Sequence, residues 1–278
     1  MINKLPVLSV FLIFMLSLTQ VTFSQETNEE AQQPPLLVAT TMHANWDYKE
    51  GSFEDWLEME KMFFEKVTSK NEYLMRTNVL QHYYTADNSE VIFARVCKDW
   101  ASIEKAAERN RELIMEAWPD KEEREAFFEK QSMYYTDKHS DEIYRAIEGS
   151  KFLSDEDRDD QHVYYVRTSH TAWPEDGDDQ EIEDMYAEYV KNVVHMNPLI
   201  LAYYPYMHYY GADSRDFVEV FVVKSLDDID NAAEISDELV EAHWPDENKR
   251  KEFFERYSQY ETGWHSDNIF RNVPELMK

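Results

Sequence analysis

The sequence predicts an α+β fold made of two copies of one βαββαβ unit. Three observations lead there. Short stretches recur at a fixed offset of 126 residues: HYYTAD at 82–87 returns as HYYGAD at 208–213, WPD at 118–120 returns at 244–246, FFE at 127–129 returns at 253–255, and HSDEIYR at 139–145 returns as HSDNIFR at 265–271. A constant offset of this kind marks an internal duplication. Within each copy, apolar residues switch between a period of two and a helical period in the same order. The length, 278 residues, suits two small units that each bury a core.

Each element can be read in turn. The first strand is LLVATTMHA at 36–44, matched by HVYYVRTSH at 162–170. Helices follow over 53–67 and 181–194. In the first, Phe53, Trp56, Leu57, Met59 and Phe63 share one apolar face. The second strands cover 73–84 and 199–210, and short turns lead to third strands at 90–96 and 216–223. A second helix begins near Ser102 and near Asp228. Pro119 and Pro245 break it, because proline has no backbone N–H to donate. Asp120 with Glu123 has the spacing of a capping box that restarts it. HSDEIYRAI and HSDNIFRNV are read as short last strands.

The domain plan is a signal peptide at 1–24, a mobile polar leader at 25–35, a first repeat at 36–147, an acidic linker at 148–161 and a second repeat at 162–278. Lys4 precedes an apolar run too short for a comfortable membrane span. Thr22 and Ser24 are small residues placed for cleavage before Gln25. These features predict an exported protein, periplasmic or secreted, with no membrane association after cleavage. Cys97 is the only cysteine, so no intrachain disulfide can form. Val223 replaces it in the other copy, and an inert core thiol is expected.

The formal net charge of −29 repels phosphate backbones and anionic membrane surfaces. Nucleic acid is therefore discounted as a partner. Glycine-rich phosphate loops, a GxSxG elbow and CxxC pairs are absent from the sequence, which argues against a nucleotide enzyme, a serine hydrolase or a zinc finger.

Duplication, element order and the HYY and HSD repeats together resemble the dimeric α/β-barrel superfamily. The resemblance covers residues 36–274. It implies two ferredoxin-like repeats forming an intrachain pseudo-dimeric α/β barrel, with two sheets face to face and helices outside. Members of that superfamily include monooxygenases, haem-degrading enzymes, chlorite-dismutase-like haem proteins and mutarotases, and the fold does not choose among them.

The candidate site residues are His43, His82 and His139 in the first copy, His170, His208 and His265 in the second, with Tyr84 and Tyr210 beside them. In a βαββαβ sheet the ends of the first two strands and the start of the fourth lie at one rim. Each histidine trio is expected to converge there. Three readings stand: a proton-transfer or binding pocket, a metal site of histidine and carboxylate, or strand-end backbone bonding copied by duplication. Asp141 and Asp267 are read as turn caps. In the third strands, Ile92, Ala94 and Val96, with Val218, Val220 and Val222, are assigned to the helix side. Arg95 and Glu219 then point into the barrel, where they are expected to pair or share a polar pocket.

The functional expectation is an exported small-molecule-binding protein or cofactor-free enzyme with an aromatic, histidine-bearing pocket. A non-catalytic binding or stress module is the alternative, and a haem-binding protein a further one. The sequence names no cofactor, ligand or oligomeric state.

Overall fold

The computed structural model describes residues 33–278. The expected signal peptide, and the leader as far as residue 32, lie outside the described residues. In the remainder of the leader, Pro35 O accepts a backbone bond from Ala146 at 2.9 Å.

The first half contains β1 (Leu36–Ala44), α1 (Phe53–Lys66), β2 (Leu74–Tyr84), β3 (Glu90–Cys97), α2 (Trp100–Ala117), α3 (Lys121–Met133) and β4 (Tyr135–Ala146). The second contains β5 (Val163–Thr171), α4 (Asp179–Tyr189), β6 (Ala202–Tyr210), β7 (Asp216–Val223), α5 (Asp227–His243), α6 (Glu247–Tyr257) and β8 (Glu261–Asn272). Ser52 and Asp55 form a reciprocal capping box at the start of α1. Asp120 accepts from the Glu123 N–H at the restart after Pro119.

All strands join one closed antiparallel barrel in the order β1-β3-β2-β8-β5-β7-β6-β4. Each half supplies four neighbouring strands. The halves meet edge to edge, through β2–β8 and β4–β6, where face-to-face packing of two separate sheets was expected. Closure removes the unpaired edges that two open sheets would carry.

The last strands begin at Tyr135 and Glu261, four residues before the expected starts at His139 and His265. Most of the extra residues, Thr136, Asp137 and Lys138 in one half and Thr262 and Gly263 in the other, are polar or small and exposed, so hydrophobic periodicity could not reveal them. They are held by backbone pairing with β1 and β5. Within the acidic segment 148–161, Lys151 bridges to Tyr203, and Leu153 is buried in the core.

The barrel interior is aliphatic and tyrosine-lined: Leu80, Ile92, Tyr164, Val166, Ala202, Tyr204, Val220, Val222 and Phe270 pack together. Helices cover the outer face, where Trp56 and Met59 meet Val79, Val91 and Phe93 in the first half. In the second, Val190 and Val194 meet Tyr203 and Phe221. The facing assignment of the third strands is therefore reversed. Ile92, Val220 and Val222 face the interior, while Phe93, Phe221 and, by alternation, Arg95 and Glu219 face the helices. Both faces of these strands are covered, so both carry apolar residues and alternation alone cannot tell them apart. Cys97 is buried, and burial pushes its thiol pKa up.

Candidate functional site

The histidines of each trio do not all converge. Directly paired residues share a face and successive ones alternate. His43 pairs with Glu90, and His82 lies one step beyond the Gln81–Val91 pair on the same side as Leu80. These three side chains form a row across β1, β3 and β2 on the interior face. His43 Nδ1 meets Ser89 Oγ at 3.0 Å and Asp87 Oδ2 at 3.2 Å. His82 Nδ1 meets Thr85 Oγ1 at 2.8 Å. The Thr85 hydroxyl hydrogen goes to Asp87 O, so His82 donates here.

The second half repeats the row as His170, Asp216 and His208. His139 and His265 take the other face, because they pair with Met42 and Ser169, the neighbours of His43 and His170. Both are exposed beside their own Asp141 and Asp267. Tyr84 and Tyr210 are surface rings: Tyr84 lies against Tyr83, and Tyr210 against Trp100 at 5.3 Å. Asp141 accepts from Thr40 Oγ1 at 2.6 Å and Asp267 from Tyr165 Oη at 2.7 Å, so these aspartates link strands rather than cap turns.

The larger cavity lies elsewhere, between the outer face of the first half and its helices. It measures about 550 Å³. Phe63, Phe64, Val79, Phe93 and Phe128 make its apolar wall, and no histidine lines it. A smaller cavity of about 330 Å³ carries His82 with Trp46, Tyr48 and Trp56. Tyr135 borders both.

Six polar side chains of its lining, Thr40, Glu60, Thr77, Arg95, Gln131 and Tyr135, give the larger cavity its chemistry. Glu60 is 4% exposed on the apolar face of α1. Its Oε1 accepts from Gln131 Nε2 at 3.0 Å and from Tyr135 Oη at 2.9 Å. The Tyr135 hydroxyl itself accepts from Trp56 Nε1 at 2.7 Å. Burial raises the Glu60 carboxyl above the usual range, against the lowering effect of these two bonds. Burial likewise holds the Tyr135 phenol well above its ordinary value. Arg95 donates from Nη2 to Thr40 Oγ1 at 2.7 Å. Its buried Nε, and the buried Thr77 hydroxyl, have no hydrogen-bond partner. Each such group costs about 1–3 kcal/mol while unpaired.

The second half carries aromatic side chains at the matching positions. At the 126-residue offset, Glu60 corresponds to Tyr186, Thr77 to Tyr203, Gln131 to Tyr257 and Arg95 to Phe221. Tyr203 is fully buried and donates to Glu219 Oε1 at 2.6 Å, and its hydroxyl also meets that of Tyr186 at 2.9 Å. Glu219 therefore does not reach Arg95, and the expected pairing across the barrel is replaced by separate networks in the two halves. Burial, with Glu261 adding to it, pushes Glu219 up to about 7.

That shift has a consequence for stability. The folded protein holds this proton more tightly than the unfolded chain, whose value is 4.5. Stability is greatest below that value and falls as pH rises towards 7. Glu219→Gln is expected to remove this fall, gaining about 2 kcal/mol at pH 8 relative to pH 5, a figure discounted for partial exposure. Equal melting-temperature changes at both pH values would refute it.

Sequence reasoning missed Glu60, Tyr135, Gln131 and Thr77. A signal existed: Glu60 interrupts the apolar stripe of α1, and at the fixed offset its cavity neighbours change from small or polar to aromatic.

No protein-family model and no curated protein sequence matches the chain. Solved structures do. A candidate monooxygenase from Lactobacillus acidophilus aligns with a TM-score of 0.51 and 9% identity, over 88% of this chain and 96% of that one. A candidate monooxygenase from Fusobacterium nucleatum aligns with a TM-score of 0.52 and 10% identity, over 87% and 93%. Chlorite dismutase from Candidatus Nitrospira defluvii in complex with imidazole aligns with a TM-score of 0.49 and 9% identity, over 88% and 93%, too loosely to carry haem chemistry across. At these identities the likeness concerns fold, and the chain has the fold of the dimeric α/β-barrel superfamily.

Proposed function

We propose that the first half binds a small, largely apolar molecule bearing a carbonyl or phenolic oxygen, and that Glu60 acts on it as a general base whose carboxylate Gln131 and Tyr135 hold in place. The reading rests on one observation: a buried carboxyl and two unpartnered polar groups, Thr77 Oγ1 and Arg95 Nε, border one aromatic-walled cavity. Apolar walls with a few convergent polar groups suit a small ligand. Ionised Glu60 takes a proton from an acidic C–H or O–H, and its raised pKa makes it a better base than an exposed carboxylate. Gln131 and Tyr135 hold its Oε1 in place. The Arg95 guanidinium stabilises negative charge developing on the ligand oxygen. The descriptions of the two similar structures as candidate monooxygenases are in keeping with a substrate activated by such deprotonation.

Two further elements belong to this reading. The halves are a fused pseudo-dimer in which only the first kept its cavity. The protein is exported after cleavage near Ser24; an intact mass that retains the leader would contradict that.

The test is a screen of phenols and 1,3-dicarbonyl compounds by thermal shift and turnover, with Glu60→Gln alongside. Binding in the variant is expected to stay within about tenfold, while turnover falls by about 100-fold or more. In the wild type the rate should rise with pH as Glu60 ionises, and that rise should vanish in the variant. Binding without turnover would make the protein a binding module. No binding by any member of either class would sink the reading.

A further inference from the structure

We propose that the second half binds a divalent transition-metal cation through His170 Nε2, Asp213 Oδ2 and Asp216 Oδ1. This site is separate from the first-half cavity and does not depend on how that cavity is read. His170 ends the inner row on β5, Asp216 opens β7, and Asp213 lies in the turn that joins β6 to β7. His170 Nε2 stands 3.5 Å from Asp213 Oδ2 and 3.4 Å from Asp216 Oδ1. One ligand atom from each of the three lies within 4.8 Å of the others, the one such group among the described residues. The approach of His170 to either carboxylate does not form a hydrogen bond. The three atoms share a centre rather than satisfying one another.

The surroundings hold them there. Trp264 stacks on the His170 imidazole at 3.8 Å between ring centres, which fixes the ring plane. Arg215 grips Asp213 through Nε to Oδ1 at 2.9 Å and Nη2 to Oδ2 at 2.6 Å, which sets the carboxylate's direction. Each carboxylate oxygen can accept a second partner, so Oδ2 remains open to a cation. His208, one step beyond the Met207–Phe217 pair, flanks Asp216, and its buried Nδ1 has no hydrogen-bond partner. One imidazole and two carboxylates, without thiolate, suit zinc, cobalt(II) or manganese(II) rather than a soft ion. Three protein ligands also leave a coordination position open.

The first half shows what the same place looks like when closed. There His43 is tied to Ser89 Oγ, and the Lys138 ammonium sits 3.3 Å from Asp87 Oδ2. Lys138 is the counterpart of Trp264 at the 126-residue offset. Lys138 has been exchanged for an aromatic ring, and the carboxylate opposite the histidine, Glu90 in the first half, is the shorter Asp216 in the second, with Oδ1 3.4 Å from His170 Nε2.

The test uses the purified chain, stripped with a chelator and dialysed, then titrated with cobalt(II) by visible absorption and with zinc by calorimetry. One saturable site is expected, and metal should raise the melting temperature. Asp216→Asn, which preserves shape, and His170→Gln should each weaken binding at least tenfold. His43→Gln and His265→Gln should leave it unchanged. The apo melting temperature of each variant shows whether it folds, and Asp216→Asn keeps the test decisive should His170→Gln fail to fold. Absence of saturable binding would overturn the proposal. So would metal affinity that survives Asp216→Asn, since the acidic surface as a whole would then be the binder.

Discussion

Thr77→Tyr is expected to abolish small-molecule binding in the first half while sparing the fold. The loss should reach roughly 100-fold or more in affinity, about 2.7 kcal/mol. The substitution copies what the second half already does. Tyr203 occupies the corresponding position with no exposed surface, and its ring packs 4.9 Å from that of Phe221. In the first half the new phenol would enter the cavity of about 550 Å³ beside Phe63 and Phe93. It would also replace a buried hydroxyl that has no partner. Filling open apolar space removes the ligand's room without the strain that extra volume causes in a packed core. The measurement is ligand titration, with thermal melting as control. Unchanged affinity in a folded variant would show that the ligand sits elsewhere, and the cavity reading would fall.

The second large effect concerns stability. Asn71→Ala is expected to cost about 3 kcal/mol, and Asn197→Ala about the same. Both asparagines have no exposed surface. Asn71 Nδ2 donates to Ala106 O at 2.8 Å and to Asn110 Oδ1 at 2.7 Å, while its Oδ1 accepts from Tyr73 N at 3.0 Å. Asn197 makes the same set, to Ala232 O at 2.7 Å, to Ser236 Oγ at 3.0 Å and from Leu199 N at 3.0 Å. Each side chain ties the end of its half's first helical segment to the second helix. Truncation leaves a buried carbonyl and a buried N–H unpaired. For a chain of this size the melting temperature should fall by roughly 6–12 °C. Because β2–β8 and β4–β6 join the halves, both variants should lower one shared transition. Melting of one half alone would contradict that, and a loss below about 1 kcal/mol would mean water replaces these bonds at little cost.

Much of the fold was legible in the residues. The fixed offset revealed two copies, and the alternation of strand and helix periods revealed their element order. Both signals are local: a strand or an amphipathic helix writes its own periodicity into a few consecutive residues. That His43 and His82, like His170 and His208, lie at one rim was expected from the strand order, but the face taken by His82 and His208 was not, because a one-residue shift of register swaps it. His139 and His265 broke the pattern because a face depends on register. The last strands begin four residues before His139 and His265, so these histidines lie inside a strand rather than at its tip.

What tertiary structure alone decided is which face of each sheet the helices cover, and where space was left. Ile92 and Phe93 are adjacent and both apolar, and only the packing of α1 and α3 sends Phe93 outward and Ile92 into the barrel. The same packing turns Glu60, an acidic residue on a helix, into a buried group with a raised pKa. The sequence by itself determined the duplication, the elements and their order, since these rest on short-range pattern. Barrel closure, and the cavity between the first half and its helices, came from long-range packing. There, burial is set by residues far apart in the chain, which no local pattern records.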